Sequence, residues 1–126
     1  MLSNAPVCPT LSVSDLARAR KFYEEVLLLK SMDKTMTGSE AMYECGKGTA
    51  LMIFQTKTKP GDDTAAGFMV SDLAAEMTDL KSRGVVFEDY DFPGLKTVNG
   101  VATFGNVKGA WFKDPDGNIL SLTQMP

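Results

Sequence analysis

Histidine is absent from all 126 residues. Imidazole is the usual general base near neutral pH, the commonest metal ligand and the partner of most serine and cysteine nucleophiles. Its absence excludes the histidine triads, the zincin motifs and the iron site built from two histidines and a carboxylate. Cysteine is nearly as scarce. Cys8 and Cys45 stand alone, without a C-x-x-C pair, so neither a zinc finger nor a disulfide framework is available and both are expected as reduced thiols. Long apolar runs are missing too. The uninterrupted stretches are only a few residues, such as Ala50 to Phe54, and the start M-L-S-N-A-P-V-C-P-T has no cationic region followed by an apolar one. No signal peptide or membrane span is expected, and the cytoplasm is the expected location. No block of like charge occurs, and 16 acids against 13 bases give a net charge of -3. Nucleic acid and anionic membrane are therefore poor partners.

What remains is enough for one ordinary domain. Apolar residues make up 44% of the chain and charged residues 23%, which supports one continuous core and excludes both disorder and a second full-sized domain.

The chain repeats itself. V-S-D-L-A occurs at residues 13 to 17 and again at 70 to 74, a spacing of 57. A helical pattern follows each copy. In the first, Leu16, Ala19, Phe22, Tyr23 and Val26 recur at helical spacing against a charged face, with Ser14 or Asp15 as N-cap. In the second, Leu73, Met77 and Leu80 form the stripe, Lys81 and Arg83 suit the last turn, and Gly84 ends the helix. Strands are expected at 7 to 13, 29 to 36, 40 to 45 and 49 to 55, then at 64 to 70, 85 to 90, 101 to 113 and 118 to 124. That is β-α-β-β-β twice: a first module over about 5–56, a linker at 57–63 and a second module over about 64–126.

Alternation gives each strand two faces. Leu11, Val13, Leu51, Ile53, Ala66, Phe68, Val70, Leu120 and Leu122 make an aliphatic face toward the helices. The other face carries Cys8, Thr10, Ser12, Ala50, Met52, Phe54, Ala65, Gly67, Met69, Ile119, Ser121 and Thr123. Small, sulfur-bearing and hydroxyl side chains suit a cavity or groove. Asp114-Pro115-Asp116-Gly117-Asn118 matches a three-residue hairpin loop, which pairs Asp114 with Asn118 and Trp111 with Ser121. A four-residue loop would shift the register and turn Trp111 to the helix side.

The first motif with its helix, V-S-D-L-A-R-A-R-K-F-Y-E-E-V-L, the second V-S-D-L and the stretch A-W-F-K-D-P-D-G-N-I-L-S-L resemble the vicinal oxygen chelate superfamily, which includes glyoxalase I, bleomycin-resistance proteins and extradiol dioxygenases. The resemblance spans nearly the whole chain. It implies an α+β fold of two βαβββ modules whose curved mixed sheets surround a central cavity, with helices on the convex side. It also implies a homodimer. Metal-dependent members place ligands at positions that match Cys8, Met52, Ala65 and Ser121 here. One thiol, one thioether, a methyl and a hydroxyl are a poor donor set for magnesium, manganese, zinc or ferrous iron.

The expected function is therefore metal-independent binding of a partly apolar, possibly planar small molecule, with no cofactor. The pocket candidates are Cys8, Thr10, Met52, Phe54, Ala65, Met69, Trp111 and Ser121, in a pocket between the halves or across a dimer. The competing expectation is a lyase, isomerase or dioxygenase with an altered site, and a third is a module with a filled cavity and no small ligand. No catalytic residue is assigned: Cys8 has no base beside it, and Ser121 reads as a pocket hydroxyl. Trp111 and Phe104 read as core aromatics, or, in the hairpin register above, Trp111 instead lines the cavity as a stacking surface. Of Tyr43 and Glu44, only one can face the cavity.

Overall fold

The computed structural model describes residues 1–4, 8–32, 38–57, 59 and 61–126. The chain divides into two compact units, Met1–Gly61 and Asp62–Pro126.

The first unit runs β1 (Thr10–Val13), α1 (Leu16–Lys21), β2 (Lys30–Ser31), β3 (Glu40–Glu44) and β4 (Ala50–Gln55). Its sheet has the order β1-β4-β3-β2, with β1 parallel to β4 and the other pairs antiparallel. Asp15 is the N-cap: its carboxylate accepts the Arg18 amide at 3.1 Å, satisfying one of the amides that a helix start leaves unpaired. The Gln55 side-chain carbonyl accepts the Leu16 amide at 2.8 Å and ties the start of α1 to the end of β4. After Lys21 the helix widens into a π-turn over Phe22–Val26 and stops at Leu28, whose φ is +58°. Ala19 and Tyr23 are thereby buried with Leu11, Val13, Ala41, Tyr43, Leu51 and Ile53, the aliphatic face of the sheet. Tyr23 stacks on Tyr43 with centroids 5.9 Å apart. The expected strand at 7 to 13 begins at Thr10; of the one at 29 to 36, residues 29 to 32 are described and only Lys30–Ser31 forms strand, while 5–7 and 33–37 lie outside the described residues.

A charged network holds the end of this helix to the sheet. The Tyr43 hydroxyl donates to Glu24 Oε2 at 2.9 Å, and the Arg20 guanidinium donates to the same oxygen at 2.8 Å. The Arg20 contact holds the Glu24 carboxyl below its usual range, while burial, ahead of the Glu24 bond, pushes the Tyr43 phenol up. Glu24 therefore contributes stability above the unfolded glutamate pKa, and that contribution disappears as pH falls through the depressed folded value. Tyr43→Phe is expected to cost about 1.5 kcal/mol near neutral pH. Urea titrations should show the deficit shrinking in acid as Glu24 protonates. A deficit independent of pH would mean that the ring, not the bond, carries the effect.

The second unit runs β5 (Thr64–Val70), α2 (Leu73–Ser82), a hairpin of β6 (Asp91–Phe92) and β7 (Leu95–Lys96), then β8 (Ala102–Phe104), β9 (Val107–Lys113) and β10 (Ile119–Gln124). Its main sheet has the order β5-β10-β9-β8, with β5 parallel to β10. The duplicated motif builds duplicated caps. Asp72 accepts the Ala75 amide at 3.0 Å, and Gln124 accepts the Leu73 amide at 2.7 Å, as Asp15 and Gln55 do in the first unit. Gly84, at φ +93°, ends α2 in a left-handed turn whose amide bonds the Lys81 carbonyl while the Val85 amide bonds that of Leu80. Leu73, Met77 and Leu80 are buried, as their spacing predicts.

Two strand expectations need correction. Residues 101 to 113 are not one strand: Gly105, at φ +60°, and Asn106 turn the chain back, so that β8 pairs with β9. Residues 85 to 90 form no strand; they contribute one bridge, Phe87 to Phe112, and an amide bond from Glu88 to the Trp111 carbonyl. The β6–β7 hairpin was not expected, although Pro93-Gly94, with Gly94 at φ +84°, is a turn signal.

Candidate functional site

The last hairpin sets the register on which the site depends. Asp114, 5% exposed, accepts the Asp116 amide at 2.9 Å and the Asn118 amide at 2.8 Å through one carboxylate oxygen, and the Asn118 side-chain amide at 2.8 Å through the other. The Asp114 amide bonds the Asn118 carbonyl, and Gly117 takes φ +90°. This is the three-residue loop. Counting outward, Trp111 lies opposite Ser121 and Gly109 opposite Thr123.

On the far side from α2, the second sheet therefore presents Gly67, Ser121 and Trp111 in one row, and Met69, Thr123 and Gly109 in the next. The indole leans over Gly109, where an added Cβ would come within 3.2 Å of its ring. The edge of Tyr90 meets Trp111 with centroids 5.7 Å apart at 68°, and Tyr90 in turn stacks with Phe92 at 5.7 Å and 28°. Burial pushes the Tyr90 phenol up. Three aromatic rings thus adjoin one another, with Phe92 largely exposed, and Met69 and Phe104 expose large apolar surfaces nearby on the strands. Ser121 is nearly buried because Gly67 admits it: a Cβ on Gly67 would stand 2.5 Å from Ser121 Oγ. Gly67→Ala is expected to destabilise the unit by about 1 kcal/mol through that overlap. Adding Ser121→Ala should return most of the loss in a double-mutant cycle, and strict additivity would contradict the contact.

The first unit presents an analogous face. Thr10, Met52 and Met42 lie in one cross-strand row, and the Met32 amide bonds the Met42 carbonyl at the end of it. Ser12, Phe54 and Glu40 form the next row, and Ala50, Glu44 and Lys30 another. Met32, Met42, Met52 and Phe54 are all half-buried. Thioether side chains so placed make an adaptable apolar surface. Of the strand pair left open by alternation, Glu44 is on this face and Tyr43 is buried on the helix side. Cys8 is exposed and Cys45 half-buried; burial, then the neighbouring charge of Cys8, pushes the Cys45 thiol up, the wrong direction for a nucleophile.

The candidates thus fall into two groups, Cys8, Thr10, Met52 and Phe54 in the first unit and Ala65, Met69, Trp111 and Ser121 in the second. Sequence reasoning missed Tyr90, Phe92 and Met42. Alternation in E-A-M-Y-E puts Met42 opposite Tyr43, and the aromatics flanking Asp91 were the available signal for the other two.

Two open four-stranded mixed sheets, each with a parallel outer pair and one helix capped from its own last strand, define a duplicated βαβββ architecture. Residues 7–122 match the model of the Glyoxalase/Bleomycin resistance protein/Dioxygenase superfamily, and the chain belongs to that superfamily. None of the curated proteins matches it in sequence. Among solved structures it is similar to TnmS3, an antibiotic binding protein from Streptomyces sp. CB03234, with 23% identity over 100% of this chain and 99% of that one and a TM-score of 0.77. It is also similar to a glyoxalase / bleomycin resistance protein from Catenulispora acidiphila, with 22% identity over 98% and 100% of the chains and a TM-score of 0.74. A third is a lactoylglutathione lyase from Agrobacterium tumefaciens, with 18% identity over 96% and 93% and a TM-score of 0.71. These likenesses establish the fold.

The divalent ion that the superfamily's enzymes imply does not fit the donors present. The four positions that the resemblance assigns to ligands hold a thiol and a thioether in the first unit and a methyl and a hydroxyl in the second. Among the described residues, no group of three or more histidine, cysteine, aspartate or glutamate side chains comes together to hold an ion.

Proposed function

We propose that this chain is a metal-independent small-molecule binding protein, and that its ligand is partly apolar and planar. The observation that carries the reading is the face around Trp111, where an indole braced by Tyr90 lies beside the Ser121 hydroxyl and a half-open apolar strand surface. An aromatic plane supplies stacking, Ser121 one directional hydrogen bond, and Met69 adaptable packing. Nothing more is needed for sequestration, since binding requires shape and a few polar contacts. The methionine face of the first unit offers contacts of the same kind. That an antibiotic binding protein shares the fold is consistent with this reading.

Trp111 is the sole tryptophan, so its emission reports on the proposed site. Planar aromatic compounds at micromolar concentration are expected to quench or shift it. No response across a varied library would sink the reading and favour a module without a small ligand. The enzymatic alternative, a lyase, isomerase or dioxygenase, draws on the lactoylglutathione lyase likeness. It requires a stoichiometric transition metal whose removal abolishes activity, or turnover that depends on Cys8.

A further inference from the structure

The second unit has a groove on the opposite side of its sheet from Trp111, between α2 and the β8–β9 edge, with a volume of about 580 Å³. That is within the ordinary range for small-molecule sites. Its apolar lining includes Leu73, Met77 and Val101, and its polar lining Lys81 from α2, Lys108 from β9 and Asn99 from a turn at φ +52°.

Two of the groove's acceptors are engaged: Asp72 Oδ1 accepts the Ala75 amide, and the Gln124 side-chain carbonyl accepts the Leu73 amide. Thr78 donates its hydroxyl to the Ala74 carbonyl. The same bonds consume amides at the start of α2, so the helix terminus is not the source of the site. Among the described residues, the side chains of Lys108 and Asn99 have no polar partner. The Lys81 ammonium stands over the Phe87 ring, 5.8 Å from its centroid. Two cations and an amide therefore border the groove together with the Asp72 carboxylate, and the charge of Lys81 also acts on Asp89, on a chain whose net charge is -3.

The internal repeat shows that the architecture does not demand this. In the first unit the caps are the same, Asp15 and Gln55. Yet the position 57 before Lys81 is Glu24, engaged with Arg20 and Tyr43, and the residue whose carbonyl accepts the Gln55 amide, the counterpart of Lys108, is Ser39. The lysines belong to the second copy alone.

We infer that this groove is a second binding site, for a small organic acid whose carboxylate lies between Lys81 and Lys108 and whose apolar body packs against Val101, over the buried Leu73 and Met77. It is independent of the Trp111 site. Amide NMR of the ¹⁵N-labelled full chain, titrated with naphthalene-2-carboxylate and separately with the neutral naphthalene-2-carboxamide, tests it. The acid is expected to shift the amides of Ala74, Thr78, Val101 and Lys108, and the carboxamide to bind more weakly. Lys81→Gln and Lys108→Gln should each weaken the acid about fivefold, as expected for a partly exposed ion pair, and Trp111→Leu should leave this site unchanged. The lysines are solvent-facing, and unperturbed spectra of both variants will show that the fold persists. The proposal is overturned if acid and carboxamide bind alike, if the lysine variants bind as the parent does, if shifts fall only around Trp111 and Ser121, or if none appear at millimolar acid.

Discussion

Phe112→Ala should destabilise the protein by about 3–5 kcal/mol, the largest loss expected from any single truncation considered for this chain. The ring is fully buried on the helix side of β9, directly across from Leu120, and meets the edge of Phe87 with centroids 5.6 Å apart at 71°. The backbone of Phe87 also bridges to Phe112, so the ring anchors a segment that has no strand of its own. Removing it leaves a cavity that the sheet cannot close, because β9 is held on both sides, by β10 and by β8. A total stability of 5–15 kcal/mol is typical of such domains, so the variant should be close to unfolding at ambient temperature. Urea titrations measure the loss. Phe92→Ala, which truncates an exposed ring, is the control and should cost roughly 1 kcal/mol or less. A Phe112→Ala loss no greater than that of the control would contradict the packing described.

The second large effect concerns binding. Trp111→Leu should weaken a planar ligand about 30-fold, corresponding to about 2 kcal/mol for an aromatic anchor at the centre of a contact. Leucine keeps an apolar side chain on the strand while removing the stacking plane and the brace against Tyr90. Since the variant lacks the only tryptophan, calorimetry replaces fluorescence as the readout. Trp111→Phe should recover part of the affinity, because a smaller ring still stacks. Equal affinity in all three proteins would remove Trp111 from the site.

Most of the fold was legible because local chemistry and apolar period agreed. The repeated V-S-D-L-A placed both helices, leaving Ser14 and Asp15 as alternatives for the first cap and naming none for the second, where the structure has Asp15 and Asp72; Asp114-Pro115-Asp116-Gly117-Asn118 specified a loop whose length sets the Trp111–Ser121 register. Alternation separated Leu11, Val13, Leu51 and Ile53 from Thr10, Met52 and Phe54, and the two sets lie on opposite faces. What escaped depended on contacts distant in sequence. The turn at Gly105-Asn106 interrupts a stretch that reads as continuous strand, and Phe87 is placed by one bridge to Phe112 rather than by a ladder. The brace of Tyr90 on Trp111 joins residues 21 apart through that irregular segment, and no period marks it. The π-turn at Phe22–Val26 likewise keeps the apolar spacing of a helix while changing its hydrogen bonding.

Ligand binding at the Trp111 face is expected to need no metal ion. The test is to titrate a planar aromatic ligand into chelator-treated protein while following Trp111 emission, and to repeat the titration with one equivalent of Mn²⁺, Zn²⁺ or Ni²⁺. Superimposable curves with micromolar midpoints are expected. Binding that appears only after an equivalent of metal is restored would overturn metal-independent binding.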